Sequence, residues 1–513
     1  MSLTQQIASK HNRHNAYSAK QVLANEAIVA KNQKLAMYVL MERAGTAVFE
    51  ELQNQWSNTN SVLVICGKGN NGGDGFISAR LAYLAKMKVT VLITCDVEHL
   101  KGDALTAYQA MLDVGVSDVF TQQLTKHIEE FSGEVIIDAL FGIGFYGDLG
   151  EPMETLVSTI NQNSAKKLSI DIPSGLCATT GSVSSDVAVV ADVTVTFIVF
   201  KQGLLTGQAA NYVGELILAD IGLGHEFSQL VPSCVSYQQH SLLVDNVSPL
   251  KKRLNTSHKG NIGQVLAIGG GKGMPGAIRL AGEASLRCGA ALVSICCDKG
   301  NQALVFNGRP EFMLSAQNAK QLANSEHLAK ANVLIAGPGL GQTDWSKALI
   351  DLVLLQMKKS KRKWLVLDAD GLSLLANTKD YCSRRILTPH PKEAAKLLGC
   401  NVANIEADRF SAVKNIAKQY GGICILKGAG TLISNGHQTV VNSTGNSGMA
   451  SGGMGDVLAG VVAALTLQAQ DYFEACCLAV YIHGAAGDII ANKYGQRGML
   501  ASDLFLPLQK LVN

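Results

Sequence analysis

Residues 446–460 read NSGMASGGMGDVLAG. The apolar run inside and after this stretch, residues 457–467 (VLAGVVAALTL), predicts a buried helix. Gly452, Gly453 and Gly455 then form the loop at its N-terminus. Free backbone N–H groups and the positive end of the helix dipole converge at such a place, which makes it a ready anion site. Glycine carries no Cβ, so the backbone can come close to a ligand. Asp456 is the odd member, because a carboxylate beside an anion repels it unless it holds a metal or works as a base. We read it as a base that activates a hydroxyl next to a phosphate. The alternative reading is a helix cap.

Outward from this stretch, the totals bound the rest. At 513 residues the chain has room for two to four domains. Charged residues make up 17% and hydrophobic ones 47%, a balance that favours packed cores over disorder. Lys and Arg number 44 against 41 Asp and Glu, and no basic tract is interleaved with aromatics, which argues against a nucleic-acid partner. The 12 cysteines include two adjacent pairs but no C-x-x-C and no zinc spacing, so reduced thiols in a reducing compartment are expected. Residues 1–20 are polar, read as a loosely structured arm, and lack the apolar core of a signal peptide. The longest apolar runs, 457–467 and 193–200, fall short of the roughly 20 residues of a membrane span. The expectation is a cytoplasmic protein without a membrane partner.

In the first half, residues 24–53 predict one helix. Strand-like runs follow at 62–66, 89–94, 135–140, 168–172, 193–200 and 216–219, with helical patterns such as 76–86 between several of them. β-branched runs separated by helices indicate a parallel sheet covered on both faces. Ligands of such sheets bind at the C-terminal strand ends, and three polar motifs fall there. GKGNNGGDG (67–75) satisfies G-x-G-x-x-G, which alone is a weak dinucleotide signal. Asn70, Asn71 and Asp74 crowd it with side chains, which suits a sugar, an amide or a cation better. DALFGIGFYG (138–147) follows a strand-end Asp138 with a glycine-punctuated aromatic loop that could drape over a planar ring; the alternative for Asp138 is a cap. SIDIPSG (169–175) puts Asp171 at another strand end before a Pro173–Ser174–Gly175 turn. Three carboxylate-bearing strand ends in one sheet favour a shared site.

Residues 222–245 lose periodicity and include Pro232 and His240, so a domain boundary near 230 is expected. Alternation resumes at 265–269. GGGKGMPGA (269–277) resembles a Walker loop, but Gly273 follows Lys272 where a hydroxyl is required, and that reading is rejected. GPGLG (337–341) ends the next strand, and LVLDAD (365–370) repeats the strand-end carboxylate. ILTPHPKE (386–393) sets His390 between two prolines at a helix start, where it is a ligand contact or a solvated turn residue. ICILKGAGT (423–431) is a strand into a glycine turn, with Lys427 placed for a phosphate or for solvent.

These motifs carry a resemblance. GKGNNGGDG, DALFGIGFYG and DIPSG, over about residues 15–225, resemble the YjeF N-terminal family of NAD(P)H-hydrate epimerases. The resemblance implies contacts from Asn70, Asn71, Gly72, Gly73 and Asp74, and from Gly142, Ile143, Gly144, Phe145, Tyr146, Gly147 and Asp148, to a hydrated nicotinamide nucleotide. It also implies a potassium ion on Asn71, Asp138 and Ser174, with Asp171 catalytic at the hydrated ring. A glycine-rich anion loop followed by Asp, late in an α/β chain, resembles the ribokinase-like superfamily. There the Asp takes a hydroxyl proton while loop N–H groups steady the transferred phosphoryl. With GKGMPGA, GPGLG, LTPHP and KGAGT, residues 238–513 resemble the YjeF C-terminal branch, the ADP-dependent NAD(P)H-hydrate dehydratases. Substrate contacts then fall on Ala277, Gly339, His390 and the catalytic Asp456, and nucleotide contacts on Lys427, Gly428, Ala429, Gly430, Thr431 and Gly455.

The whole chain thus resembles the bifunctional NAD(P)H-hydrate repair family. The fold expected is α/β in two domains. Residues 1–230 form a Rossmann-like three-layer sandwich and 231–513 a ribokinase-like domain. The partners implied are the hydrates of NADH and NADPH (NADHX and NADPHX), ADP as co-substrate, potassium in the first half and magnesium in the second, in a homo-oligomer. Three other readings stay open on the residues alone: a small-molecule kinase with a regulatory first half, a nucleotide sensor without turnover, and an NAD-dependent dehydrogenase.

Overall fold

The structure is a computed structural model that describes residues 13–238, 250, 253–378 and 380–513. His240 and residues 1–12 of the expected arm lie outside the described residues. The rest of that arm is ordered: Arg13–Tyr17 is a strand, β1, and Ser18 caps the helix Ala19–Asn32 through a reciprocal pair with Gln21. The chain divides into two compact units, His14–Val235 and Ser236 onward. The boundary region expected to be irregular contains a helix, Gly224–Leu230, and a strand at Val235–Gln238.

The first unit is a parallel sheet. Its strands are β2 (Ser61–Cys66), β3 (Lys88–Ile93), β4 (Val119–Phe120), β5 (Val135–Ala139), β6 (Lys166–Ile170), β7 (Val193–Phe197), β8 (Phe200–Lys201) and β9 (Glu215–Ala219). The order is β4-β3-β2-β5-β6-β7-β9, and β8 pairs instead with β1. Two expected elements are each two. Residues 24–53 span Ala19–Asn32 and Met37–Gln55, separated where Lys34 turns left-handed at φ +56°. Residues 193–200 break between β7 and β8, where Ile198 takes φ +65°. Hydrophobicity is continuous across the break at Ile198, whereas the break at Lys34 falls in the polar run 31–34 (KNQK). Register sets the strand ends level: Ile65 pairs with Asp138, and Asp138 with Ser169.

In the second unit the strands are β11 (Gln264–Ile268), β12 (Leu292–Cys296), β13 (Phe312–Ala316), β14 (Val333–Ala336), β15 (Trp364–Leu367), β16 (Arg385–Leu387), β17 (Ile423–Leu426), β18 (Leu432–Ser434) and β19 (Thr439–Asn442), after β10 (Val235–Gln238). Their order is β13-β12-β11-β14-β15-β16-β17-β18-β19, parallel up to β17 and closed by an antiparallel hairpin. Ile268, Ala336, Leu367, Leu387 and Cys424 follow one another across the sheet. Every loop that follows these strands therefore leaves from one edge.

The helix Met454–Gln468 is buried continuously from Val457 to Thr466. It begins three residues earlier than the apolar run suggests, because Gly453 supplies the N-cap at φ +90°. Gly455 and Asp456 thus lie in its first turn rather than in a loop. Against it packs Pro275–Arg287, and a Cβ at Gly460 would stand 2.2 Å from the Ala281 carbonyl oxygen. The helix Tyr472–Tyr494 corrects the estimate of apolar runs: its 23 residues have the length and composition of a membrane span, and 72% of its most apolar window is buried within the protein.

Gly460→Ala tests this packing. Alanine is the better helix former by about 1 kcal/mol, but here its methyl would push backbone against backbone. We expect net destabilisation of about 1–3 kcal/mol by urea unfolding; a stabilised variant would contradict the close approach.

Candidate active sites

At the C-terminal edge of the first sheet, the first turns of the helix Asn70–Leu84 carry Asn70, Asn71, Gly72, Gly73 and Asp74, with Gly69 as N-cap. The sequence reading placed them in a loop. Gly67 and Gly72 are required by contact, since a Cβ on either would lie 2.0 Å from a carbonyl oxygen. Asp138 is not a cap. It is fully buried and accepts hydrogen bonds from Ser169 Oγ at 2.9 Å, Ser174 N at 2.9 Å, Ser174 Oγ at 2.6 Å and Leu140 N at 3.3 Å. Burial pushes its carboxyl up and these bonds pull it down. Among the described residues no cationic side chain pairs with it. Phe141 N donates to Ser174 Oγ, and Gly142 lies close enough to Asn71 that a Cβ would stand 3.2 Å from Oδ1. Asn71 Nδ2 is buried without a partner among the described residues. Asn71, Asp138 and Ser174 are therefore gathered by the loop that starts at Phe141. In that loop Phe141 and Phe145 pack ring to ring at 5.1 Å, while Tyr146 is exposed.

Asp171 follows β6 in a left-handed conformation at φ +64°, which a non-glycine residue rarely adopts and which marks a site held by its surroundings. Its Oδ1 accepts from Lys201 Nζ at 2.6 Å, Thr196 Oγ1 at 3.1 Å and Phe197 N at 3.4 Å. Oδ2 accepts none among the described residues. Lys201, buried on β8, and Glu26, on Ala19–Asn32, were not singled out in the sequence; neither carries a local motif. Glu26, Asp74 and Phe197 line one cavity with Met37, Leu40 and Met41. Burial raises the carboxyls of Asp74 and Glu26; Asp171 adds to this and Lys201 opposes it.

In the second unit, Asp368 at the end of β15 accepts from Thr388 Oγ1 and from Lys427 Nζ, both at 2.8 Å. Lys427 is thus not a solvated lysine. It also lies 3.9 Å from Glu393 Oε2. Its ammonium is opposed by burial but held above its ordinary range by Asp368, Glu393 and Asp456. Gly455 faces this cluster, with a Cβ there 3.1 Å from Lys427 Nζ and 3.7 Å from Asp368 Oδ2. Asp456 is not the N-cap and makes no side-chain hydrogen bond among the described residues. Burial first, then Asp368 and Glu393 against Lys427, raise its carboxyl to about 7.

His390 caps Pro391–Leu398: its Nδ1 accepts from Lys392 N and Glu393 N, and Glu393 Oε2 accepts from His390 N. Burial and Lys427 lower its pKa. Gly339, at φ +57°, touches the Ala277 turn, where a Cβ would lie 3.0 Å from Ala277 Cβ, and Gly271 N donates to Gly339 O. Buried Arg409, unmarked in the sequence, donates to the Lys427 carbonyl at 3.0 Å and supports the turn carrying Gly428, Ala429, Gly430 and Thr431. His483 Nε2–H donates to the Met454 carbonyl at 3.1 Å, fixing the first turn before Asp456, and burial lowers it to about 4. Asp488 holds the other end of the glycine stretch through Gly445 N and Asn446 Nδ2.

Residues 265–510 match the family described as NAD(P)H-hydrate dehydratase, and residues 37–203 match the YjeF-related protein N-terminus. The bifunctional NAD(P)H-hydrate repair enzyme Nnr of Escherichia coli strain K12 is 41% identical over 503 residues, covering 98% of this chain and 94% of its own. Its namesake from Coxiella burnetii is 41% identical over 506 residues, covering 97% and 99%. A solved structure, the ADP/ATP-dependent NAD(P)H-hydrate dehydratase of Bacillus subtilis co-crystallised with ATP and Mg2+, is 29% identical at a TM-score of 0.46, over 51% of this chain and 93% of that one. With both halves matched and its whole length aligned to these relatives, the chain belongs to the family of bifunctional NAD(P)H-hydrate repair enzymes.

Proposed function

We propose that the first unit interconverts the R and S hydrates of NADH and NADPH, and that the second dehydrates the S form while ADP becomes AMP and phosphate. One observation carries the reading. In each unit a lysine ammonium is tied to a strand-end carboxylate, Lys201 to Asp171 Oδ1 and Lys427 to Asp368 Oδ1, and a carboxylate oxygen at that pair, Asp171 Oδ2 in the first unit and those of Asp456 in the second, accepts no hydrogen bond among the described residues. All twelve cysteines are free thiols, which supports a reducing, cytoplasmic setting.

Inverting C6 requires one of its bonds to break and reform. Asp171 Oδ2 takes the C6 hydroxyl proton as the C6–N bond opens to an aldehyde. The nitrogen keeps the electron pair, spread into the conjugated carboxamide. Reclosure on the opposite face returns the proton. A cluster of Asn71, Asp138 and Ser174 suits potassium: it offers hard oxygens, and its carboxylate is buried without a cationic partner among the described residues. There Asn71 Oδ1, Ser174 Oγ and Asp138 would hold the ion, whose charge would compensate the carboxylate and steady the loop from Phe141.

Dehydration needs a better leaving group than hydroxide. Asp456 takes the hydroxyl proton as that oxygen attacks the β-phosphorus of ADP, releasing AMP. The ring nitrogen then expels phosphate, and loss of a C5 proton restores the dihydropyridine. Backbone N–H groups at the start of Met454–Gln468 and the Lys427 ammonium face the transferred charge. Magnesium is usually held by one or two carboxylates together with substrate phosphates. Magnesium would enter with the diphosphate. A plain kinase is disfavoured by the family, and product analysis separates it, since a kinase releases a phosphorylated substrate.

Asp456→Asn removes basicity at nearly constant shape. Dehydration of pure S hydrate should fall by about 10² to 10⁴, with ADP affinity and epimerisation kept. In the parent, the base form exists above a pKa of about 7, so dehydration should decline as pH falls through that value. Turnover of the variant within threefold of the parent would end the assignment.

Asp138→Asn should weaken the response of epimerisation to potassium and leave dehydration of the S hydrate unchanged. Rates of R-to-S conversion across potassium concentrations, with sodium at constant ionic strength, make the check; an unaltered potassium response would remove Asp138 from the ion site.

A further inference from the structure

Lys201 sits where the break at Ile198 reverses what would otherwise be one strand. β7 ends at Phe197, the left-handed Ile198 turns the chain, and β8 carries Lys201 back over the strand ends, where β1 holds it by pairing Tyr17 with Lys201. The ammonium donates to the Phe197 carbonyl at 2.7 Å and to Asp171 Oδ1 at 2.6 Å, so it is fixed at both ends of a short span. With Thr196 Oγ1 and Phe197 N it places all three hydrogen bonds of the Asp171 carboxylate on one oxygen. It is also the cation that three buried or half-buried carboxylates share, since Glu26 and Asp74 feel it together with Asp171. Leaving such a set without its cation is costly, which is a reason for the lysine to be buried but not for the one-sided bonding.

We propose that Lys201 is a positioning residue for epimerisation: it commits Asp171 Oδ1 and thereby aims Oδ2 at the hydroxyl of the hydrated ring. The proposal rests on the reading of Asp171 as the reacting carboxylate. A rotation of the carboxylate would exchange a bonded oxygen for the free one, and the ammonium, anchored on Phe197 O, resists that rotation. Lys201 itself holds and releases no proton in the cycle. Its effect therefore falls on turnover and not on substrate affinity, because it acts on the geometry of the proton transfer.

The test uses the full-length protein and pure R hydrate, with dehydration of pure S hydrate as an internal control. Lys201→Met should lower kcat for epimerisation by about 10²-fold, the usual scale of a small misplacement of a reacting group, with KM within threefold. Lys201→Gln, shorter and uncharged, loses the ammonium span between the Phe197 carbonyl and Asp171 Oδ1 and should show the same split, and Lys201→Arg should recover part of the loss. The S-hydrate control should not change in any of them. Parental kcat in Lys201→Met or Lys201→Gln, or a loss seen in KM alone, would overturn the proposal. Unfolding of both with parental kcat in Lys201→Arg would also overturn it, by making the pair purely structural. Asp171→Asn separates the two readings: if that variant keeps its epimerisation rate, the role of Asp171 is wrong whatever Lys201 does.

Discussion

An ammonium buried among carboxylates is the constraint on which both sites depend. Lys201 sits on Asp171 and Lys427 on Asp368, each at hydrogen-bond distance and each at the C-terminal edge of a parallel sheet. Burying a charge is expensive unless it is paired and its remaining bonds are met. Each lysine meets that condition with a carboxylate and leaves its neighbourhood richer in negative charge than in positive. The surplus falls on the neighbouring carboxylates. Asp74 and Glu26 are raised in the first unit, Glu393 and Asp456 in the second. A carboxylate that titrates near neutrality is a better proton acceptor than one of ordinary pKa.

The scaffold holds these charges by close backbone contact. Parallel strands in level register send successive loops out of one edge. Glycines then let those loops touch: Gly67 against Leu140, Gly337 against Asp368, Gly339 against the Ala277 turn. Gly460 brings Met454–Gln468 against Pro275–Arg287, so the helix bearing Asp456 and the helix bearing Ala277 are set by one contact. Capping adds the last adjustments. His390 serves its own helix through Nδ1, and His483 and Asp488 hold the two flanks of the glycine stretch.

Sequence alone determined the alternation of strands and helices and the motif positions from Asn70 to Ser174 and from Ala277 to Asp456. These are local properties: β-branched runs, glycine spacing and strand-end carboxylates repeat within a few residues. It also determined the family, because two sets of short motifs occur together and in order. It misjudged the places where one residue changes direction. Ile198 splits an apolar run by a left-handed turn, Lys34 divides one expected helix into two, and Gly453 started a helix three residues early. Hydrophobic periodicity has no term for a single backbone angle.

Only the tertiary structure decided what the carboxylates and lysines touch. Asp138 and Asp456 could be caps by sequence, and each proved otherwise because its partners, or the lack of them, come from other strands and helices. Lys427 could face solvent, yet it lies against Asp368, 59 residues away along the chain. Lys201, Glu26 and Arg409 carry no motif at all. Their roles arise from packing that brings separate elements within a few ångströms. Charge pairing across such separations depends on three-dimensional distance and burial, and neither quantity is written in the neighbouring residues.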